Sequence, residues 1–82
     1  MEENLIAAIE LGSSEITGVV GQKLANGTTE VLAYVSLPSE SAIRHGVVYN
    51  TEKAASIIVE LIEKMRHVSA CDINMVYVAH NG

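Results

Sequence analysis

The stretch AAIELGSSEITGVVGQK, residues 7–23, decides how this chain is read. Two apolar runs, residues 5–9 and 16–20, flank Glu10-Leu11-Gly12-Ser13-Ser14. The first run is short, nearly continuous and ends at a glycine, which predicts a strand over residues 4–11 buried on both faces. The second is rich in β-branched residues (Ile16, Thr17, Val19, Val20) and predicts a strand over residues 16–23. A gap of about four residues suits an antiparallel hairpin. Its tip is either a plain tight turn or a holder for an anion.

Working outward, Asn26-Gly27 is a strong hairpin signal, because both residues tolerate positive φ. A third strand is expected over residues 29–37, with Val31, Ala33, Val35 and Leu37 forming its apolar face. Pro38 lacks an amide donor and should stop it. The run from Ser39 to Asn50 reads as a connection, punctuated by Gly46. The period then changes. Ala54, Ile57, Ile58, Leu61, Ile62 and Met65 fall at i, i+3, i+4, i+7, i+8 and i+11, the stripe of an amphipathic helix over residues 51–67. Asn50 or Thr51 can cap its start, where Glu52 complements the dipole; Lys64, Arg66 and His67 suit its end. A last strand is expected over residues 74–79. The order is β-β-β-α-β, an α/β arrangement in which a crossover helix brings the last strand parallel to one of the first three. Such a mixed sheet has an edge and a face left open, so pairing with a second copy through exposed edges is expected.

Composition narrows the function. With 82 residues the chain makes one domain at most, and a core this small is only modestly stabilising. Apolar residues make up 49%, which predicts a folded chain rather than a disordered one. Its net charge is −5 and its five basic residues are scattered, so neither nucleic acid nor direct contact with an anionic membrane is expected. Cys71 is the single cysteine, and the acidic N-terminus lacks the basic start of a secretory signal, both suiting the cytoplasm.

The hairpin carries the chemistry. Gly12 permits close backbone approach, Ser13 and Ser14 offer hydroxyls, and successive amides can form an anion nest. Glu10, ending the first strand, could orient a water on a phosphate-bound Mg²⁺. Elsewhere the signals are weaker. His45, His67, Cys71, Asp72 and His80 lack the paired spacing of a zinc site, so no metal site is assigned. Neither Ser13 nor Ser14 has a histidine at a recognisable nucleophile spacing, so no catalytic residue is assigned either.

Glu10-Leu11-Gly12-Ser13, followed by EITGVVGQ, IRHGVVYN and Met75-Val76-Tyr77-Val78 with Gly82, resembles the N-terminal segment of the FtsA family of bacterial cell-division proteins. That family belongs to the actin-like ATPases, whose nucleotide domain has an RNase H-like fold. The resemblance implies a partial actin-like domain truncated at residues 1–82, with Glu10, Gly12, Ser13 and Ser14 as cofactor-binding residues. It implies a parent that binds ATP and Mg²⁺, polymerises, and tethers the tubulin-like FtsZ at the cytoplasmic face of the inner membrane. The family's second phosphate loop and adenine pocket would lie beyond Gly82, so the chain by itself is expected neither to hold ATP nor to be an enzyme. Three residues depart from the pattern. Glu10 stands for Asp, Asn50 for Asp, and Glu15 for a frequent Lys; a carboxylate about 4 Å from a phosphate charge costs roughly 1–4 kcal/mol. The related pilus-assembly actin-like proteins share the Gly-Ser-Ser hairpin, and a complete small α/β interaction module is the reading outside the fold.

Overall fold

A computed structural model describes residues 5–45 and 47–80. The elements are β1 (Leu5–Leu11), β2 (Glu15–Lys23), β3 (Thr29–Pro38), β4 (Ile43–Arg44), β5 (Val47–Val48), α1 (Thr51–Ser69) and β6 (Tyr77–His80). Four strands form one sheet in the order β3-β2-β1-β6. β1 and β2 pair antiparallel from Leu5↔Gln22 to Leu11↔Ile16, and β2 continues antiparallel onto β3. β6 returns parallel to β1, with Ala8 opposite Tyr77 and Leu11 opposite His80. The β-β-β-α-β order and the mixed sheet are those expected from the sequence.

α1 packs on one face of the sheet, chiefly against β2 and β3. That face carries Ala7, Ile9 and Leu11 from β1, Ile16 and Val20 from β2, and Ala33 from β3, all buried. The helix answers with Ala54, Ile57, Leu61 and Met65, while Ile58 and Ile62 flank them half-buried. The described residues make two layers, and the Cα atoms span only 16 Å in the thinnest direction. β1 is therefore not buried on both faces as its apolar run suggested. Ile6 and Glu10 on its other face are exposed, because the described residues place a helix on one side only. The uncovered face holds a row running across all four strands, Tyr34–Val19–Ala8–Tyr77, whose two tyrosines are 69% and 62% exposed.

Four local expectations are corrected. First, the pairing of β2 with β3 is irregular between Val20 and Gly21, so Val20 meets Ala33 while Gly21 meets Val31. The extra residue, Leu32, turns the alternation over. Val31, expected in the core, is exposed, and Leu32 packs against the core instead. Second, the β2–β3 turn is not a two-residue loop with two positive φ values. Gly27 N–H bonds the Leu24 carbonyl at 3.0 Å, Leu24 N–H bonds the Thr28 carbonyl at 2.8 Å, and of Asn26 and Gly27 only Gly27 has positive φ (90°). Asn26 spends its side chain accepting from the Thr28 amide and hydroxyl. Third, the connection after β3 contains a small ladder, Ile43↔Val48 and Arg44↔Val47, that its composition did not announce. Fourth, the last strand begins at Tyr77 rather than 74. Arg66 donates to the Ile73 carbonyl at 3.0 Å and Ile73 is buried, so the segment before the strand is held to the helix end rather than to β1.

Smaller boundary shifts have equally local causes. Residue 4 lies outside the described residues; β2 starts at Glu15 and β3 runs to Pro38 because those two residues still pair. Pro38 sits at the terminal position, where the missing donor is tolerated. The helix continues to Ser69 and closes on Ala70 in the left-handed region (φ 58°), whose N–H bonds the Arg66 carbonyl. Of the two candidate caps, Asn50 is the one used: its side chain accepts from Lys53 N–H at 3.0 Å.

The fit of helix to sheet depends on Gly18. A Cβ at that position would overlap the sulfur of Met65, which is fully buried. Gly18→Ala is expected to destabilise the fold by about 1–3 kcal/mol through overpacking. Urea denaturation measures this, and the cost should shrink when Gly18→Ala is combined with Met65→Ala.

Candidate functional site

The residues singled out from the sequence lie at one end of the sheet, at the β1–β2 hairpin. Leu11 pairs with Ile16, which leaves Gly12, Ser13, Ser14 and Glu15 to make the reversal. Gly12 N–H donates to the Glu15 carbonyl at 2.9 Å and closes the turn. A Cβ on Gly12 would stand 2.7 Å from that same carbonyl oxygen. The hairpin itself therefore demands glycine, before any ligand is considered. Closing the turn also uses the Gly12 amide, so the amides left for an anion are those of Ser13 and Ser14. Neither donates to any described residue, and both residues are exposed.

A strap formed by residues 39–45 holds the tip from the other side. Ser39 N–H donates to the Ser14 carbonyl at 2.9 Å, and Ser39 Oγ donates to the Gly12 carbonyl at 2.6 Å. The His45 amide donates to Ser13 Oγ at 3.0 Å, leaving the Ser13 hydroxyl proton free to be donated elsewhere. Ser39 is the one polar residue among the described ones that is fully buried. The strap is anchored by buried Ala42 and Ile43, and the Ala42 carbonyl accepts from the Tyr49 amide at 2.8 Å. Glu40 (φ 52°) and Ser41 (φ 67°) both occupy the left-handed region, a strained pair that lets the chain double back after β3. Within the strap, Arg44 lies 5.2 Å from the centre of the Tyr49 ring.

Glu10 stands apart from this knot. Its register neighbours are Thr17 and Ala79, on the face away from α1, and it is exposed. Thr17 Oγ1 and Ser36 Oγ, next along the same row, share a hydrogen bond of 3.1 Å. The structure thus gathers Gly12, Ser13 and Ser14 into one tip and sets Glu10 at its base. Sequence reasoning missed Ser39 and His45. They lie 27 and 32 residues from their partners, and nothing in the run SLPSESAIRHG distinguishes a strap from a linker. Among the described residues no cluster of three or more His, Cys, Asp or Glu side chains is placed to hold a metal ion. No described helix is long and apolar enough to cross a membrane.

The donor set suits a phosphate: two unpaired amides, two hydroxyls and a backbone that approaches without side-chain cover. Gly12→Ala is expected to open the turn and cost about 1–3 kcal/mol, because either the Gly12–Glu15 bond or the backbone must give. Thermal melts of the variant check this, together with faster exchange of the residue-12 amide.

Comparison with known proteins gives a consistent neighbourhood. No protein-family model matches the chain. The curated relatives are cell division proteins FtsA. That of Porphyromonas gingivalis is 34% identical over 61 residues, 74% of this chain and 13% of that protein. That of Borreliella burgdorferi is 32% identical over all 82 residues, 20% of that protein. That of Escherichia coli is 25% identical over 81 residues, 99% of this chain and 19% of that protein. The chain spans a fifth or less of the length of these relatives. Its similarity to FtsA proteins runs through the hairpin, the strap, the helix and the last strand alike.

Proposed function

We propose that this chain is the opening part of an FtsA-type cell-division protein, and that its β1–β2 hairpin is the first phosphate-contacting loop of an actin-like ATP-binding domain. The observation that carries the reading is the hairpin tip: the Ser13 and Ser14 amides have no acceptor among the described residues, in a chain similar to FtsA over its whole length. In the longer protein the loop would hold the phosphates of ATP, and Glu10 would hold a water of their Mg²⁺. The ion would supply charge neutralisation between the phosphates and the two acids of the hairpin. The activities of that protein, polymerisation and the tethering of FtsZ to the cytoplasmic face of the membrane, belong to the same proposal. Self-association of the present chain would run along the sheet edges β3 and β6, where Val31, Tyr34 and Tyr77 are exposed.

A single loop contacts a phosphate from one side only. Its affinity should lie near the millimolar range, about 4 kcal/mol, where ATP binding is invisible to calorimetry at micromolar concentrations. Titration of the isotopically labelled chain with inorganic phosphate tests the reading. The Ser13 and Ser14 amide resonances are expected to move together along a saturable curve, while the distant turn at residues 24–28 stays still. Shifts scattered over the surface, or none, would sink the proposal.

Glu15 supplies an internal control. It is exposed at the start of β2, one residue beyond the tip, and repels an anion there. Replacing it by lysine reverses an interaction of about 1 kcal/mol or more. Glu15→Lys is expected to tighten phosphate by roughly tenfold at low salt, with the gain fading as salt rises to about 1 M.

A further inference from the structure

The strap residue Ser39 has no ligand-facing surface, yet it contacts the hairpin at two of the three residues of its tip. Its Oγ takes the Gly12 carbonyl at 2.6 Å and its N–H takes the Ser14 carbonyl at 2.9 Å. In a trans peptide the carbonyl of one residue and the N–H of the next point in opposite directions. A Gly12 carbonyl drawn towards Ser39 turns the Ser13 amide away from the strap. A Ser14 carbonyl drawn the same way turns the Glu15 amide away with it. The Gly12 amide is already committed to Glu15, and Ser13 Oγ is pinned by the His45 amide. The Gly12 and Ser14 carbonyls, which flank the tip, are thereby held on the far side.

We infer that Ser39 is a positioning residue for anion binding: its buried hydroxyl and amide lock the Gly12 and Ser14 carbonyls inward so that the Ser13 amide is presented outward before a phosphate arrives. The inference rests on the phosphate reading of the hairpin. Burial makes the lock effective. Ser39 is 0% exposed, so water cannot take its place at the Gly12 carbonyl without entering the packed layer beside Ala42 and Ile43. Freed of the Ser39 hydroxyl, the Gly12–Ser13 peptide can turn, and an outward carbonyl repels an anion where an outward amide attracts it. Preorganisation of this kind changes affinity without adding a contact to the ligand.

The test is phosphate titration of the 82-residue chain and two variants, followed at the Ser13 and Ser14 amides. Ser39→Ala removes the hydroxyl and keeps the backbone bond. Ser39→Cys fills nearly the same space with a weaker donor. In the folded Ala variant, phosphate affinity is expected to fall by about tenfold, the scale of one hydrogen bond. The methyl signals of Ile9 and Leu61 should stay in place, showing that the core is intact, while Ser13 amide exchange quickens. The Cys variant should fall between the Ala variant and the parent. A folded Ala variant that binds phosphate as tightly as the parent overturns the inference. If Ser39→Ala does not fold, the Cys variant decides: weakened binding supports the lock, and parental binding overturns it. A parent chain that shows no saturable shift refutes the phosphate reading itself, and the positioning role with it. That result is distinct from every outcome in which the parent binds.

Discussion

Met65 seated over Gly18 is the contact on which the arrangement of layers depends. β2 is paired on both sides, so its backbone cannot move to accommodate a helix; the accommodation has to come from side-chain volume. Gly18 provides it at the centre of the strand, and Met65, fully buried, occupies the space. Around that point Ile9, Ile16, Val20 and Leu61 close a core of aliphatic side chains without a single aromatic ring. Dispersion and apolar burial from so few residues stabilise the fold only modestly. Polar ties at the sheet's end consequently matter more than they would in a larger domain.

The second constraint lies at that end. After β3 the chain must pass from the sheet edge to the start of a helix lying over β2 and β3. It does so through a strap with three left-handed residues, Glu40, Ser41 and His45, a ladder of two residue pairs and the buried Ser39. The same strap fastens the β1–β2 hairpin. Fold and candidate site thus share their hydrogen bonds: those that let the chain double back also determine which way the hairpin's peptides face. A substitution in the strap therefore acts at the hairpin across a sequence distance of some 27 residues. The open face of the sheet, with Tyr34 and Tyr77 at the ends of one row, is the opposite case. An apolar row and the polar row of Glu10, Thr17 and Ser36 lie side by side on it, and no described residue covers it.

Local chemistry dictated much of this chain. The helical stripe from Ala54 to Met65, the Asn50 cap, the breaks at Gly12 and Gly27 and the β-branched run of β2 follow from period, capping and turn preferences. Each of those acts within a few residues, and so each could be read along the sequence. The glycine and two serines of the hairpin tip were legible for the same reason. What only the tertiary structure decided is everything that depends on two distant segments meeting. The irregularity opposite Val20 and Gly21 exchanged Val31 for Leu32 in the core, and a single helical layer left Ile6 and Glu10 exposed on β1. Ser39, in a connection with no recognisable motif, became the residue that holds the tip. Its importance arises from burial and from two carbonyls 25 and 27 residues earlier in the chain, and no local preference encodes that.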